Sequence, residues 1–201
     1  MKTLIVKKGE ELEAARILSN RTDDDFDAVD ATVKEVIARV RAEGDDALYY
    51  YSEKFGGPGK AETGPLRVTE EELEEAYRSV EPEVTAALEL AAENIRSFHE
   101  KQLQKTWSYT KGDNIMLGQL IVPIQNVGVY VPGGTAAYPS SVLMNVIPAK
   151  IAGCPRIVMC SPAGKDGKIS KYILAAAKIT GADEIYKTGG AQGIAALAYG
   201  T

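Results

Sequence analysis

Residues 127–145 read VGVYVPGGTAAYPSSVLMN. Strand-forming residues run into Pro-Gly-Gly, then into small and polar residues, then into an apolar helical segment. The same order recurs twice more. RIVMC, from residue 156, leads into SPAGKDG, and EIYKT, from residue 184, leads into GGAQG. The strand starts at 127, 156 and 184 have the spacing of one strand–helix repeat. Between them lie PSSVLMNVIPAKIAG and KISKYILAAAKITGAD, with helical apolar spacing and a glycine near each end. Pro148 is expected to kink or end the first of these helices. Such units make parallel strands joined by right-handed crossovers. All three glycine-bearing turns then fall at the carboxyl ends of the strands, where open α/β sheets bind ligands.

The chemistry of that edge suggests a phosphate-bearing cofactor. A helix start presents unpaired N–H groups and a partial positive charge. Glycine lets the backbone approach a diphosphate without a Cβ in the way. Gly133-Gly134 and Gly189-Gly190 both stand at strand-to-helix turns. The G-x-G-x-x-G dinucleotide fingerprint is absent, and a single such pair is equally explained by a tight turn. Two pairs on one edge favour a ligand. Ser140 and Ser141, behind Pro139, serve either as helix caps or as ligand contacts. Tyr130 is the last polar-tipped residue before Pro132 and the glycines. Gln192 lies in the first turn after Gly189-Gly190, with an amide that both donates and accepts. Either side chain suits an adenine, a ribose or a phosphate. Gly193, just inside the last helix, costs about 1 kcal/mol against alanine.

The first half reads as helical. Val29, Val33, Val36, Ile37 and Val40 mark one helix face, with Asp27 as its cap and Gly44 just past its end. DDALYYYSEKF follows, with its three tyrosines packing on two sides of a short helix, and stops at the GGPG loop, residues 56–59. Thr69 and Glu72 form a capping box, and Pro82 suits the first turn of another helix. Val84, Leu88, Ala91, Ile95 and Phe98 predict a buried stripe, with His99 beside it as an edge residue. Residues 107–124 then read as a hairpin around Lys-Gly-Asp-Asn, in which Trp107 is a packing residue.

Bulk properties narrow the function. The chain has 201 residues, 45% apolar and 25% charged, an ordinary balance for a soluble globular protein. A net charge of −5 with no basic stripe argues against nucleic acid. No apolar run has the length of a membrane helix, and MKTLIVKKGEELEAARIL has no signal-peptide core, so no membrane association and a cytoplasmic location are expected. Cys154, Cys160 and His99 are the whole soft-ligand inventory. Both cysteines are expected to be buried small apolar residues, and nothing has the spacing of a tetrahedral metal site. The last helix has no following strand to receive its crossover. The expectation is the front part of a longer protein, or one completed by a partner chain.

Three stretches, VGVYVPGGTAAYPSSVLMNVIPAKIAG (127–153), NIRSFHEKQ (94–102) and GGAQGIAALAYGT (189–201), resemble the histidinol dehydrogenase family. The resemblance covers essentially the whole chain and is most specific from residue 118 onward. It implies an α/β fold of the aldehyde-dehydrogenase-like class, with an incomplete Rossmann-like parallel sheet and flanking helices. Residues 1–125, mainly helical with a hairpin, would belong to a first domain, and 126–201 would be a truncated (βα)3 NAD-binding domain. It implies NAD-dependent oxidation of L-histidinol to L-histidine in two steps by a zinc-bound homodimer. Tyr130 matches the tyrosine of the family's YVPGG motif and Gln192 its NAD-binding glutamine. With Pro132, Gly133, Gly134, Gly189 and Gly190 they make the expected cofactor site. The family's zinc ligands, its Glu-His catalytic pair and its GPGN asparagine lie downstream. No catalytic or metal-ligating residue is therefore expected in this chain, nor turnover from it alone. Gly193 stands where the family usually has alanine. Alternatives are a related NAD-linked dehydrogenase of another polar alcohol, such as a sulfonated diol, and a non-catalytic nucleotide-binding module.

Overall fold

The computed structural model of the chain describes residues 6–19, 26–133 and 136–201. It divides into two compact units, Met1–Glu35 and Val36–Thr201. The first holds α1 (Glu11–Ser19) and the start of α2 (Phe26–Glu43). Helix α2 begins at Phe26, so Asp27 lies inside its first turn and does not stand before it as a cap.

In the second unit, Val36 and Val40 of α2 are buried and Ile37 is half-buried, the spacing of one helix face. Gly44, at φ 59°, follows the last residue of α2 and turns the chain into α3 (Asp45–Lys54). There Tyr51 is fully buried, Tyr50 is exposed, and the Tyr49 hydroxyl donates to the Gly64 carbonyl at 2.7 Å. After α4 (Lys60–Thr63), the Thr69–Glu72 box opens α5 (Glu70–Arg78). The Thr69 N–H donates to Glu72 at 2.9 Å, and the Glu72 N–H donates to the Thr69 hydroxyl at 3.1 Å. Pro82 is the first residue of α6 (Pro82–Glu100). Its stripe is buried at Leu88 and half-buried at Val84, Ala91 and Ile95, but Phe98 is 62% exposed. Helix α6 packs on the two helices that follow the hairpin, leaving Phe98 in its last turn exposed. His99 is half-buried there and hydrogen-bonds Gln102 at 2.7 Å.

The hairpin is present as β1 (Trp107–Lys111) and β2 (Ile115–Gln119), paired with Trp107 opposite Gln119. Trp107 stacks on Tyr109 and donates to Gln119, so it packs within the hairpin while its ring stays half in solvent.

Three strands form a parallel sheet in the order β3 (Asn126–Tyr130), β4 (Arg156–Cys160), β5 (Glu184–Tyr186). They alternate with α7 (Pro139–Ile151), α8 (Lys171–Thr180) and α9 (Gly190–Tyr199). Val127, Val129, Ile157, Met159 and Ile185 turn one face toward α7 and α8, with α5 and α6 packed behind. Tyr130, Cys160 and Tyr186 form a row on the other face. Helix α9 crosses back over that face: a Cβ built on Gly128 would lie 3.1 Å from Leu197. It packs there beside α3. Strand β5 ends at Tyr186, short of the EIYKT run, and its outer edge is bridged antiparallel by residues 66–68. Lys187 donates its backbone N–H to the Leu66 carbonyl, and Val68 donates to the Ile185 carbonyl.

Two expectations for α7 are corrected. Tyr138 is its cap and Pro139 its first residue, so Ser140 and Ser141 sit within the first turn and make no capping bond. Pro148 does not end it; the helix runs on to Ile151. The carbonyl that Pro148 leaves without a donor belongs to Met144, on the exposed side, where water can serve it. Cys154 and Cys160 are free and buried, and burial pushes the Cys160 thiol up to about 12. Among the described residues no helix is long and apolar enough to cross a membrane.

Candidate functional site: three corners at the carboxyl edge

Parallel pairing brings the ends of β3, β4 and β5 to one edge, and the ladder continues one step beyond them. The Val131 N–H donates to the Cys160 carbonyl at 2.9 Å, and the Ser161 N–H to the Tyr186 carbonyl at 3.1 Å. The three turns that follow touch one another. A Cβ on Gly133 would lie 3.0 Å from Ser161 Oγ and 3.1 Å from the Pro162 carbonyl oxygen. A Cβ on Gly189 would lie 2.8 Å from Pro162 Cβ. Pro162 is thus wedged between the first and third corners, and both glycines leave room that a side chain would fill. Gly190 is at φ 61°, and a side chain there would also strike Gln192 Oε1, 2.6 Å from its Cβ position.

The polar groups at this edge are under-satisfied. Gln192 is 4% exposed and Ser161 is fully buried, and among the described residues Gln192 Oε1 has no hydrogen-bond donor and Ser161 Oγ no partner. A buried polar atom left unpaired costs roughly 1–3 kcal/mol. Gln192 opens α9, whose first N–H groups add donors and positive potential. Tyr130 ends β3, half-buried, and by strand alternation with Gly128 it faces the α9 side. Tyr130 and Gln192 therefore lie on one side of the sheet. Gly133 and Gly189 flank Pro162, and Pro132 is exposed at the rim. Gly134 lies outside the described residues.

Lys187 continues β5 and turns to the opposite side of the edge. Its side chain is 6% exposed, and its ammonium lies 2.6 Å from Glu72 Oε1. Burial alone would raise the Glu72 carboxyl, but hydrogen bonds from Lys187 and the Thr69 N–H together hold it below its ordinary value. Ser161, Pro162 and Lys187 escaped the sequence reading. Serine, proline and lysine after a strand are unremarkable in a string, and only their contacts across separate turns single them out.

The sequence matches the histidinol dehydrogenase family model over residues 19–201. The chain belongs to the histidinol dehydrogenase family. It is 50% identical over 189 residues to histidinol dehydrogenase of Heliobacterium mobile, covering 94% of this chain and 44% of that protein. It is 53% identical over 169 residues to the Bacillus licheniformis enzyme, covering 84% and 39%. Its structure superposes on crystalline histidinol dehydrogenase from Elizabethkingia anophelis with a TM-score of 0.81 at 34% identity, over 90% of this chain and 40% of that one. The chain thus spans about two-fifths of the length of these relatives. Among the described residues, no group of three or more His, Cys, Asp or Glu is placed to hold a metal ion.

Proposed function

We propose that the chain is the amino-terminal portion of an NAD-dependent histidinol dehydrogenase and that its carboxyl edge holds the dinucleotide. The carrying observation is the unpaired, buried Gln192 Oε1 at the start of α9, on the same side of the sheet as Tyr130. Gly133 and Gly189 add a backbone cradle that side chains would close. A bound dinucleotide supplies the hydride acceptor. This chain's residues bind and orient it. The α9 N–H groups and the Gln192 amide meet its polar groups, Tyr130 lies beside them, and the Pro162 wedge fixes the spacing of the corners.

The described residues do not fit a zinc site, so no step on this chain is assigned to zinc. In the whole protein, the metal ligands and the proton-transferring base would come from residues outside this chain. The substrate would be L-histidinol, the product L-histidine by way of histidinal, and the active form a homodimer. Residues 1–125 and 126–201 would then contribute to two successive Rossmann-like domains. Titration of NAD into the chain by calorimetry tests the binding role. Saturable binding that weakens on Gln192→Ala supports it, and absence of binding refutes it. Sustained NADH formation from this chain with histidinol, NAD and zinc would refute the placement of the base and metal elsewhere.

A further inference from the structure

Among the described residues, β3 pairs on one side only, with β4. The Val131 N–H points to β4. Backbone groups alternate along a strand, so Gly128 and Tyr130 turn their N–H and C=O groups to the open side. Yet β3 lacks the features of a strand that stays outermost. Asn126–Tyr130 reads NVGVY, with no charge and no proline, whereas lasting edges are commonly blunted by one or the other. Both of its faces are also covered, Val129 by the α7 side of the core and Gly128 by Leu197 of α9. A strand packed on both faces belongs inside a parallel sheet.

The position of α9 defines the missing neighbour. The chain advances from β3 to β4 to β5 through α7 and α8 on one face. Crossovers between parallel strands are right-handed almost without exception. A helix on the opposite face keeps that hand only when it carries the chain the other way, from β5 back toward β3. Helix α9 lies on that opposite face and packs on β3. Strand β4 is paired on both sides, and the outer edge of β5 is bridged by residues 66–68. The vacant place in that direction is the outer edge of β3. Gly200, just past α9, and Asn126, the first residue of β3, line one cavity of about 650 Å³ with Val127, Gly128, Val158 and Leu197. Helix α9 thus returns the chain to the end of β3 from which a parallel strand starts.

We infer that the outer edge of β3 is an interface for a parallel, apolar strand supplied by the length of the protein beyond α9, and not for a second copy of this chain. This rests on the reading of the chain as the amino-terminal portion of a longer enzyme, and not on its cofactor. The relatives have the length required, since the chain covers 44% and 39% of the two compared above. The incoming strand accepts from the Gly128 and Tyr130 N–H groups and donates to their carbonyls. A copy related by a two-fold axis would pair β3 with itself antiparallel and leave the α9 crossover without a strand to enter.

The test measures hydrogen exchange, amide by amide, in this chain and in a chimera that continues after Thr201 with the part of the Heliobacterium mobile enzyme following its match. In the chain alone, Gly128 and Tyr130 should exchange fast and Val129, facing β4, slowly. In the chimera both edge amides should slow by about a hundredfold or more. Should the chimera not fold, the two parts are co-expressed as separate chains, and the same protection is expected in their complex. Edge amides that stay fast in a folded chimera, or separate parts that do not associate, overturn the inference and leave the family reading standing. A dimer of the isolated chain with Gly128 and Tyr130 already protected overturns it in favour of a second copy. The NAD titration above is read separately, so neither failure implies the other.

Discussion

Replacing Gly193 with alanine should stabilise the chain by about 1 kcal/mol. Gly193 is the fourth residue of α9, fully inside the helix, and its N–H donates to the Gly189 carbonyl at 2.9 Å. Glycine at a helix interior position is worse than alanine by roughly 0.8–1 kcal/mol, because the unfolded chain has more freedom to lose. The gain survives only where the methyl fits. A Cβ built at Gly193 would meet Cys160 Sγ and two Thr188 atoms, all at 3.5 Å, which is ordinary van der Waals contact. No neighbour need move, and the small burial of a methyl adds to the gain. Urea unfolding measures it. With a slope of about 2 kcal/mol/M the midpoint should rise by about 0.5 M, and melting should rise by about 3 °C. Gly190→Ala is the control. Its positive φ and the 2.6 Å approach to Gln192 Oε1 predict a loss of roughly 1–2 kcal/mol. A Gly193→Ala protein destabilised by 1 kcal/mol or more would mean that α9 lies closer to β4 than these contacts allow.

Gln192→Met should leave unliganded stability unchanged or higher, since it removes a buried oxygen without a partner, yet weaken NAD by about tenfold or more; equal loss of stability and binding would assign Gln192 a structural role instead. Glu72, Glu184 and Asp183 all titrate below their ordinary values. For Glu184 the leading cause is its hydrogen bond from Arg156; for Asp183, burial is outweighed by the Ile157 N–H and Lys150. Carboxyls depressed in the folded state contribute stability that is full above their unfolded values of about 4.5 and 3.8 and is lost as pH falls through the folded ones. Urea midpoints should therefore be flat in these groups above about pH 5 and drop steeply below 4, and a midpoint that rises on acidification would contradict the pairing. Burial holds the Cys160 thiol near 12, so alkylation at pH 8 should be slow in the folded chain and fast in denaturant; rapid labelling without denaturant would show that Cys160 is accessible.

The parallel sheet was legible because three strand–turn–helix units of nearly equal length leave little choice of topology. Local signals also carried through: the Thr69–Glu72 box needs residues three apart, and the hairpin turns on the Gly112-Asp-Asn run between its paired ends Lys111 and Ile115. The failures were of another kind. Phe98 keeps the helical period of Leu88 yet is exposed, and periodicity alone does not say where a partner is. The bridge between residues 66–68 and β5 joins segments over a hundred residues apart, and LRV is too short to read as a strand. Ser140 and Ser141 have the right chemistry for a cap, but Pro139 starts the helix one residue before them, leaving Tyr138 in the cap position.

The glycine pairs show how far a motif reaches. Gly133 and Gly189 stand out in the sequence as turn residues, and a tight turn is reason enough for either. What makes them a site is a third corner that carries no glycine at its contact point. Pro162 fills the gap between them, 2.8 Å from where a Gly189 side chain would begin, while its carbonyl oxygen abuts the Gly133 position. Both glycines are thus needed by the fold around Pro162, whatever binds above it. The observation that points outward to a ligand is Gln192 Oε1. A turn glycine is satisfied once the chain closes, whereas a buried amide oxygen without a donor remains costly until something supplies one. In this chain Gly133 and Gly189 shape the rim, and the Gln192 oxygen is the buried polar atom on it that lacks a donor among the described residues.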